Sequence, residues 1–167
     1  MGTLRLTLLR HGHAEPLLEG ADDFVRELTK RGRADATAMG QRLAKAHLVP
    51  ELILASSAQR TQTTVQLLAA ASHTPKEKIQ YLDELYNASA HQIWDMAIAH
   101  AGQHAHVLVC GHNPGISRLA SQVAAGTPAL ARRLDLPPAG LLTARWNTGS
   151  WASARAADAS SAQLLVP

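Results

Sequence analysis

Short apolar runs alternate along the chain with longer segments in which apolar residues recur every three or four positions. Four runs, 4–9, 52–55, 79–82 and 106–110, have the length and residue types of short buried strands. A helical pattern follows each of them. This regular alternation favours an α/β fold in which parallel strands are joined by helices.

Capping residues and helix breakers bound the four predicted helices. Thr29 is placed as an N-cap, and Gly102 directly follows the third helical pattern. The predicted helices run from Thr29 to about Ala46, from Arg60 to Ala71, from about His91 to Ala101, and from the N-cap Asn113, with Pro114 in its first turn, to about Ala124.

The C-terminal part of the chain has the pattern of two paired strands. Apolar and polar residues alternate in Leu141–Trp146 and in Trp151–Arg155, with Asn147-Thr148-Gly149 between them. This predicts an antiparallel hairpin at a sheet edge. The whole pattern predicts a three-layer α/β fold, with helices on both faces of a mostly parallel sheet, as a single domain spanning 1–167.

Candidate chemistry lies directly after three of the predicted strands. Arg10-His11-Gly12 follows the first strand, Arg60 comes shortly after the second, and Gly111-His112-Asn113-Pro114 follows the strand at 106–110. Open α/β sheets bind their ligands at the carboxyl ends of the strands. We therefore expect these distant segments to form one site.

Two arginines and two imidazoles suit a phosphoryl group. A guanidinium matches phosphate oxygens with two parallel hydrogen bonds, and helix N-termini add backbone N–H donors. His11 can attack phosphorus and carry the phosphoryl group if the reacting nitrogen is neutral. Its other nitrogen should then donate to a carbonyl, which fixes the tautomer.

Three motifs together resemble the histidine phosphatase superfamily, also called phosphoglycerate mutase-like. They are Arg10-His11-Gly12, the run Ser56-Ser57-Ala58-Gln59-Arg60-Thr61-Gln62-Thr63, and Gly111-His112-Asn113-Pro114, in the order and at the spacing typical of the family. The short chain and the run from Asp22 to Thr29 are most similar to the small SixA-type phosphohistidine phosphatases. The resemblance implies a phosphoglycerate mutase-like fold and a phosphohistidine intermediate on His11.

The resemblance also supplies two further candidates. It implies that Arg26 is a phosphate ligand, although Arg26 in a surface ion pair with Asp22 or Asp23 is the alternative. It places Glu84 where larger members carry a general acid, but Asp83–Asn87 matches that pattern poorly, and a plain surface carboxylate is the other interpretation. The expected catalytic residues are Arg10, His11, Arg60, Glu84 and His112, and the expected substrate-binding residues are Arg10, Gly12, Arg26, Arg60, His112 and Asn113.

A weak or absent acid favours phosphohistidine over phosphate esters, because an imidazole leaves more easily than an alkoxide. The expected function is therefore dephosphorylation of protein phosphohistidine, without a cofactor or metal. The alternatives are a broad phosphomonoesterase for sugar phosphates or nucleotides, a metal hydrolase using His11, His13 and His112, and a phosphohistidine-binding module without turnover.

Bulk properties exclude other classes of protein. The 167 residues carry a formal net charge of +3 and only 4% aromatic residues, which does not indicate nucleic-acid binding. Arg5 and Arg10 interrupt any signal-peptide core, and no apolar run approaches a membrane span. We expect a cytoplasmic protein that acts on a phosphorylated protein or a small phosphate ester, binds phosphate or sulfate in its pocket, and contacts neither nucleic acid nor membrane.

Overall fold

A six-stranded sheet forms the centre of the protein. The computed structural model describes residues 2–130, 132 and 134–167. Within them the strand order is β3-β2-β4-β1-β5-β6. The strands are β1 Leu4–Arg10, β2 Leu52–Ser56, β3 Ile79–Leu82, β4 His106–Gly111, β5 Leu141–Trp146 and β6 Ser161–Leu165.

Four α-helices connect these strands, close to their predicted bounds. They are α1 Lys30–Lys45, α2 Gln59–Ser72, α3 Ala90–Ala101 and α4 Gly115–Val123. The Thr29 side chain accepts from the Gly32 N–H and caps α1, as predicted. Gly102 ends α3 with a φ of 54°, a conformation that favours glycine. None of the described helices is long and apolar enough to cross a membrane.

The sheet is parallel through its first four strands, which confirms the predicted architecture. β2 pairs in parallel with β3 and with β4, and β4 pairs in parallel with β1. The β1–β4 register places Arg10 opposite Gly111, so the residues that follow them leave the same edge of the sheet side by side. This register brings the first and last candidate motifs together.

The helices lie on both faces of the sheet. On one face α1 and α2 cover Leu9 and Ile53, and on the other α3 and α4 cover Leu6 and Leu8. The apolar side chains on each face are buried, which gives the three layers predicted from the alternating pattern.

The second strand of the C-terminal pair was predicted at the wrong place. β5 and β6 pair antiparallel at the sheet edge, but β6 is Ser161–Leu165, whereas Trp151–Ser153 forms a 3-10 turn. Trp151 is buried because its indole packs beside Trp146 and donates to the carbonyl of His104. Its apolar character therefore reflects packing in a turn rather than alternation along a strand.

Asn113 is not the N-cap of the last helix, contrary to the prediction. α4 begins at Gly115, with Pro114 at the cap position and no side-chain cap bond. The Asn113 carboxamide is engaged elsewhere, since its Oδ1 accepts from Ser117 Oγ at 2.6 Å and its Nδ2 donates to Asp135 Oδ1 at 2.9 Å.

Candidate active site

A cavity of about 360 Å³ lies at the carboxyl ends of β1 and β4. It gathers residues from the three motifs and from the loop that precedes α1. Its lining comprises Arg10, His11, Gly12, His13, Ala14, Asp23, Arg26, Arg60, Asn87, His112, Asn113 and Pro138.

His11 is held in the tautomer that a nucleophile requires. Its Nδ1 lies 2.8 Å from the carbonyl oxygen of Gly12, which can only accept, so Nδ1 carries the proton. The lone pair is therefore on Nε2. Burial and, to a smaller extent, the nearby guanidinium groups of Arg60, Arg10 and Arg26 together lower the pKa of His11 to about 4, against the opposing effect of the Gly12 hydrogen bond. His11 is neutral at neutral pH.

Gly12 positions this ring rather than offering its own amide to a ligand. Its N–H already donates to Thr64 Oγ1 at 2.9 Å. A Cβ at Gly12 would lie 2.9 Å from the carbonyl oxygen of Gly32 in α1, and a Cβ at Gly32 would lie 2.1 Å from the carbonyl oxygen of His13. The loop and the helix therefore cross at a distance that only two glycines permit.

Arg60 connects the two histidines. The residue is 2% exposed, its Nε donates to His11 Nε2 at 3.3 Å, and its Nη2 donates to His112 Nδ1 at 3.2 Å. These hydrogen bonds are long and therefore weak. A phosphoryl oxygen placed between the rings would compete for the same N–H groups.

The opposite side of His112 is held by Ser56. Since Arg60 can only donate to Nδ1, the His112 proton lies on Nε2, which is 2.8 Å from Ser56 Oγ. Burial, followed by the neighbouring His11 and Arg60, lowers the pKa of His112 to about 3. His112 is a second neutral imidazole, with its ring centroid 5.1 Å from that of His11.

Asp23 is the carboxylate of the site. Its Oδ2 accepts from the Tyr86 hydroxyl at 2.5 Å and from Arg60 Nη2 at 3.0 Å, while its Oδ1 pairs with Arg26 Nη2 at 3.2 Å. The Tyr86 hydrogen bond, followed by Arg60, lowers the pKa of Asp23, although burial opposes this. Asp23 is therefore ionised at neutral pH.

Arg10 and Arg26 both line the cavity with unused donors. Arg10 Nη1 donates to the carbonyl of Leu136 at 2.8 Å, yet the Nε atoms of Arg10 and Arg26 are buried with no hydrogen-bond partner among the described residues. Arg26 pairs with Asp23, and because it also lines the cavity, its role as a phosphate ligand stays a prediction. An oxyanion would satisfy such guanidinium donors.

The structure does not bring Glu84 to the site. Glu84 is exposed in the 3-10 turn Asp83–Leu85 and is absent from the cavity lining. His13 lies at the rim, where its Nδ1 is 2.9 Å from Thr29 Oγ1. The residues described contain no group of three or more His, Cys, Asp or Glu side chains placed to hold a metal ion.

Sequence reasoning missed the roles of Asp23, Tyr86 and Ser56. Asp23 precedes Arg26 by three residues, a spacing that suggested only an ion pair. Ser56 lies within the quoted Ser56–Thr63 run, at the last position of β2, where its side chain reaches the neighbouring strand end. Nothing in the local sequence pattern distinguishes Tyr86.

Comparison with known proteins identifies the family of the chain. The sequence model of the histidine phosphatase superfamily (branch 1) matches residues 6–93, slightly more than half of the chain. An uncharacterized chloroplastic protein of Arabidopsis thaliana is 29% identical over 127 residues, which are 71% of this chain. The chain spans 58% of the length of that relative.

Two solved structures are similar over most of the chain. A protein of Agrobacterium tumefaciens assigned as the phosphohistidine phosphatase SixA is 31% identical, with a TM-score of 0.74 over 84% of this chain and 90% of that one. A protein of Nakamurella multipartita with the same assignment is 28% identical, with a TM-score of 0.78 over 99% and 95% of the two chains. This chain belongs to the histidine phosphatase superfamily, with a phosphoglycerate mutase-like fold and a SixA-like structure.

Proposed function

We propose that the chain is a metal-independent phosphatase that removes the phosphoryl group from protein phosphohistidine through a covalent intermediate on His11. One observation carries this proposal: a neutral imidazole with an unprotonated Nε2 lies in a cavity lined by three guanidinium groups, and the lining carboxylate, Asp23, is ionised. Such a cavity binds a phosphoryl group and supplies a nucleophile, but it supplies no protonated carboxyl.

In the first step His11 Nε2 attacks phosphorus and the bond from phosphorus to the leaving atom breaks. Arg60 exchanges its hydrogen bond to His11 for one to a phosphoryl oxygen, which frees the lone pair. Arg10 and Arg26 neutralise charge on the other oxygens. The electron pair of the broken bond remains on the leaving group.

A phosphohistidine leaving group needs no acid from the protein. Its remote ring nitrogen takes a proton from solvent before the reaction, so the ring departs as neutral imidazole. An alkoxide would need a proton from the site, and a positioned acid is typically worth roughly 10²–10⁴-fold in rate. Asp23 is ionised, His112 is neutral and Glu84 lies elsewhere, so the described site favours P–N over P–O substrates.

In the second step water attacks the phosphorus of phospho-His11. The P–N bond breaks, its electron pair returns to Nε2, and the water oxygen and its protons leave with inorganic phosphate. Nδ1 keeps its proton throughout, because it donates a hydrogen bond to the Gly12 carbonyl. His11 therefore also departs from phosphorus as a neutral imidazole. The nucleophile is regenerated in its starting tautomer.

A substrate panel tests the proposal. We expect kcat/KM for a phosphohistidine peptide to exceed that for glycerol phosphate by about 10²-fold or more, on the scale of a missing general acid. A chelator should leave both rates unchanged, and His11→Ala sets the background. A preference for the alkyl ester would favour the phosphomonoesterase, and activity lost to chelator and restored by zinc or magnesium would favour the metal hydrolase.

A further inference from the structure

Exposed apolar side chains are concentrated beside the catalytic cavity. Leu17, Leu18 and Val25 are 52%, 71% and 61% exposed, and they make up half of the large hydrophobic residues exposed in the described chain. We call these three residues the rim patch. The others are Val49, Tyr81 and Val166. Clustered exposed apolar residues mark interaction sites more often than single ones do.

The rim patch lines a groove that shares a wall residue with the catalytic cavity. The groove has a volume of about 300 Å³, and Arg26 lines both it and the catalytic cavity. The groove is formed by the segment between Ala14 and Leu28, whose two ends are joined by a β-bridge between these residues. The Glu15 N–H also donates to the Glu27 carbonyl at 2.8 Å. These contacts hold the groove in place beside the cavity that contains His11.

The charge of the groove is opposite to that of the catalytic cavity. Glu15, Asp22 and Glu27 line it, and its one lining cation, Arg26, is paired with Asp23. A phosphoryl group is repelled by these carboxylates and attracted by the guanidinium groups beyond them. The rim patch and the acidic residues beside it instead complement a segment that carries apolar side chains and Lys or Arg.

We propose that the rim patch and Glu15 and Glu27 form a docking surface for the protein that carries the phosphohistidine. The occupant is a segment of that protein with apolar and basic residues next to the phosphorylated histidine. This inference rests on the proposed function. It specifies that substrate selection takes place outside the cavity, on a surface that a small phosphate ester does not reach.

Two peptides and one small substrate test the docking surface. Both peptides carry one phosphohistidine, flanked in one by Leu and Lys and in the other by Ser and Gly, and the small substrate is phosphoimidazole. The variants are Leu17→Ser/Leu18→Ser and Glu15→Gln/Glu27→Gln, and Val49→Ser is the control because Val49 is exposed before β2, at the opposite end of the sheet. Thermal melting checks that each variant is folded.

We expect the wild type to prefer the Leu/Lys peptide. Leu17→Ser/Leu18→Ser should raise KM for that peptide by roughly tenfold, the scale of losing one buried apolar contact, and leave phosphoimidazole turnover unchanged. Glu15→Gln/Glu27→Gln should weaken the preference and its sensitivity to salt. Val49→Ser should have no effect.

Three outcomes would overturn the proposal, each for a different reason. Equal KM values for the two peptides, with phosphoimidazole still hydrolysed, would refute the docking surface alone. A dimer in analytical ultracentrifugation that Leu17→Ser/Leu18→Ser dissociates would assign the patch to a second copy of this chain. Failure of the wild type to hydrolyse any of the three phosphoramidates would refute the proposed function, and the docking surface with it.

Discussion

The Tyr86 hydroxyl donates to the Asp23 carboxylate at 2.5 Å, and through this contact the loop before α1 is tied to the turn after β3. The same carboxylate holds Arg60 and Arg26. Asp23 thus orients two of the guanidinium groups in the cavity, while its charge opposes any anion that enters.

Replacing Asp23 by Asn should tighten inhibition by inorganic phosphate. The substitution removes one negative charge from the lining of a cavity that binds anions. Two charges about 4 Å apart interact by about 1–4 kcal/mol near a protein surface or in water, before screening by salt. We therefore expect the affinity for inorganic phosphate to rise by roughly three- to tenfold. Tyr86→Phe is the matched control, since it removes the hydrogen bond but keeps the charge. The explanation fails if Asp23→Asn weakens phosphate inhibition.

The protonation of His11 should be visible by NMR. With its pKa lowered to about 4 by burial and by nearby guanidinium groups, His11 should stay neutral, with the proton on Nδ1, well below the ordinary histidine value of 6.5. The ring ¹⁵N shifts of the free protein, assigned with the His11→Ala variant, report both features. A His11 midpoint between pH 6 and 7 would contradict the assigned nucleophile state.

Acid should destabilise the fold through its buried histidines. His106 is 6% exposed, its Nε2 lies 2.8 Å from Thr7 Oγ1, and burial lowers its pKa to about 4. Below pH 6.5 His106 is protonated in the unfolded chain but stays neutral in the native protein. The free energy of unfolding therefore falls as the pH drops toward 4. Each such histidine contributes a slope of up to about 1.4 kcal/mol per pH unit.

Urea unfolding between pH 6.5 and pH 4 measures how the free energy of unfolding depends on pH in the wild type and in His106→Gln. The free energy of unfolding of the variant should depend less steeply on pH, by the contribution of one histidine, because glutamine does not titrate. A loss of packing alone would lower stability equally at every pH. Identical slopes in the two proteins would show that His106 does not titrate on unfolding.

Glu84→Gln should leave hydrolysis of a phosphohistidine peptide unchanged within about twofold, far from the roughly 10²–10⁴-fold expected for an acid. Glu84 is exposed and lies outside the cavity lining, so it is not placed to protonate a leaving group. Steady-state kcat/KM on the peptide and on glycerol phosphate provides the comparison. A large loss on the peptide would restore Glu84 as a catalytic acid.

The strand ends could be predicted from sequence because buried parallel strands leave a strong apolar signal. β1 and β4 are such strands, so Arg10, His11 and His112 could be placed at one sheet edge before their adjacency was known. Arg26 was reached through a family resemblance rather than through periodicity.

Asp23 and Tyr86 could not be placed because their meeting depends on the paths of two loops. Such paths are set by long-range contacts, as where Gly12 and Gly32 cross. The error at Trp151 has a similar origin, because a large apolar residue can be buried in a turn as readily as in a strand. Exposed apolar residues such as Leu17 carry no periodic signal at all.

The nucleophile is the central claim, and trapping the phosphoenzyme tests it most directly. Wild-type protein mixed with ³²P-labelled phosphoimidazole and quenched in base should retain acid-labile label, and peptide mapping should locate it on His11. His11→Ala should retain none and lose turnover by about 10³-fold or more, whereas His13→Ala, a histidine at the cavity rim, should keep both. Label on another residue, or full turnover in His11→Ala, would contradict the account.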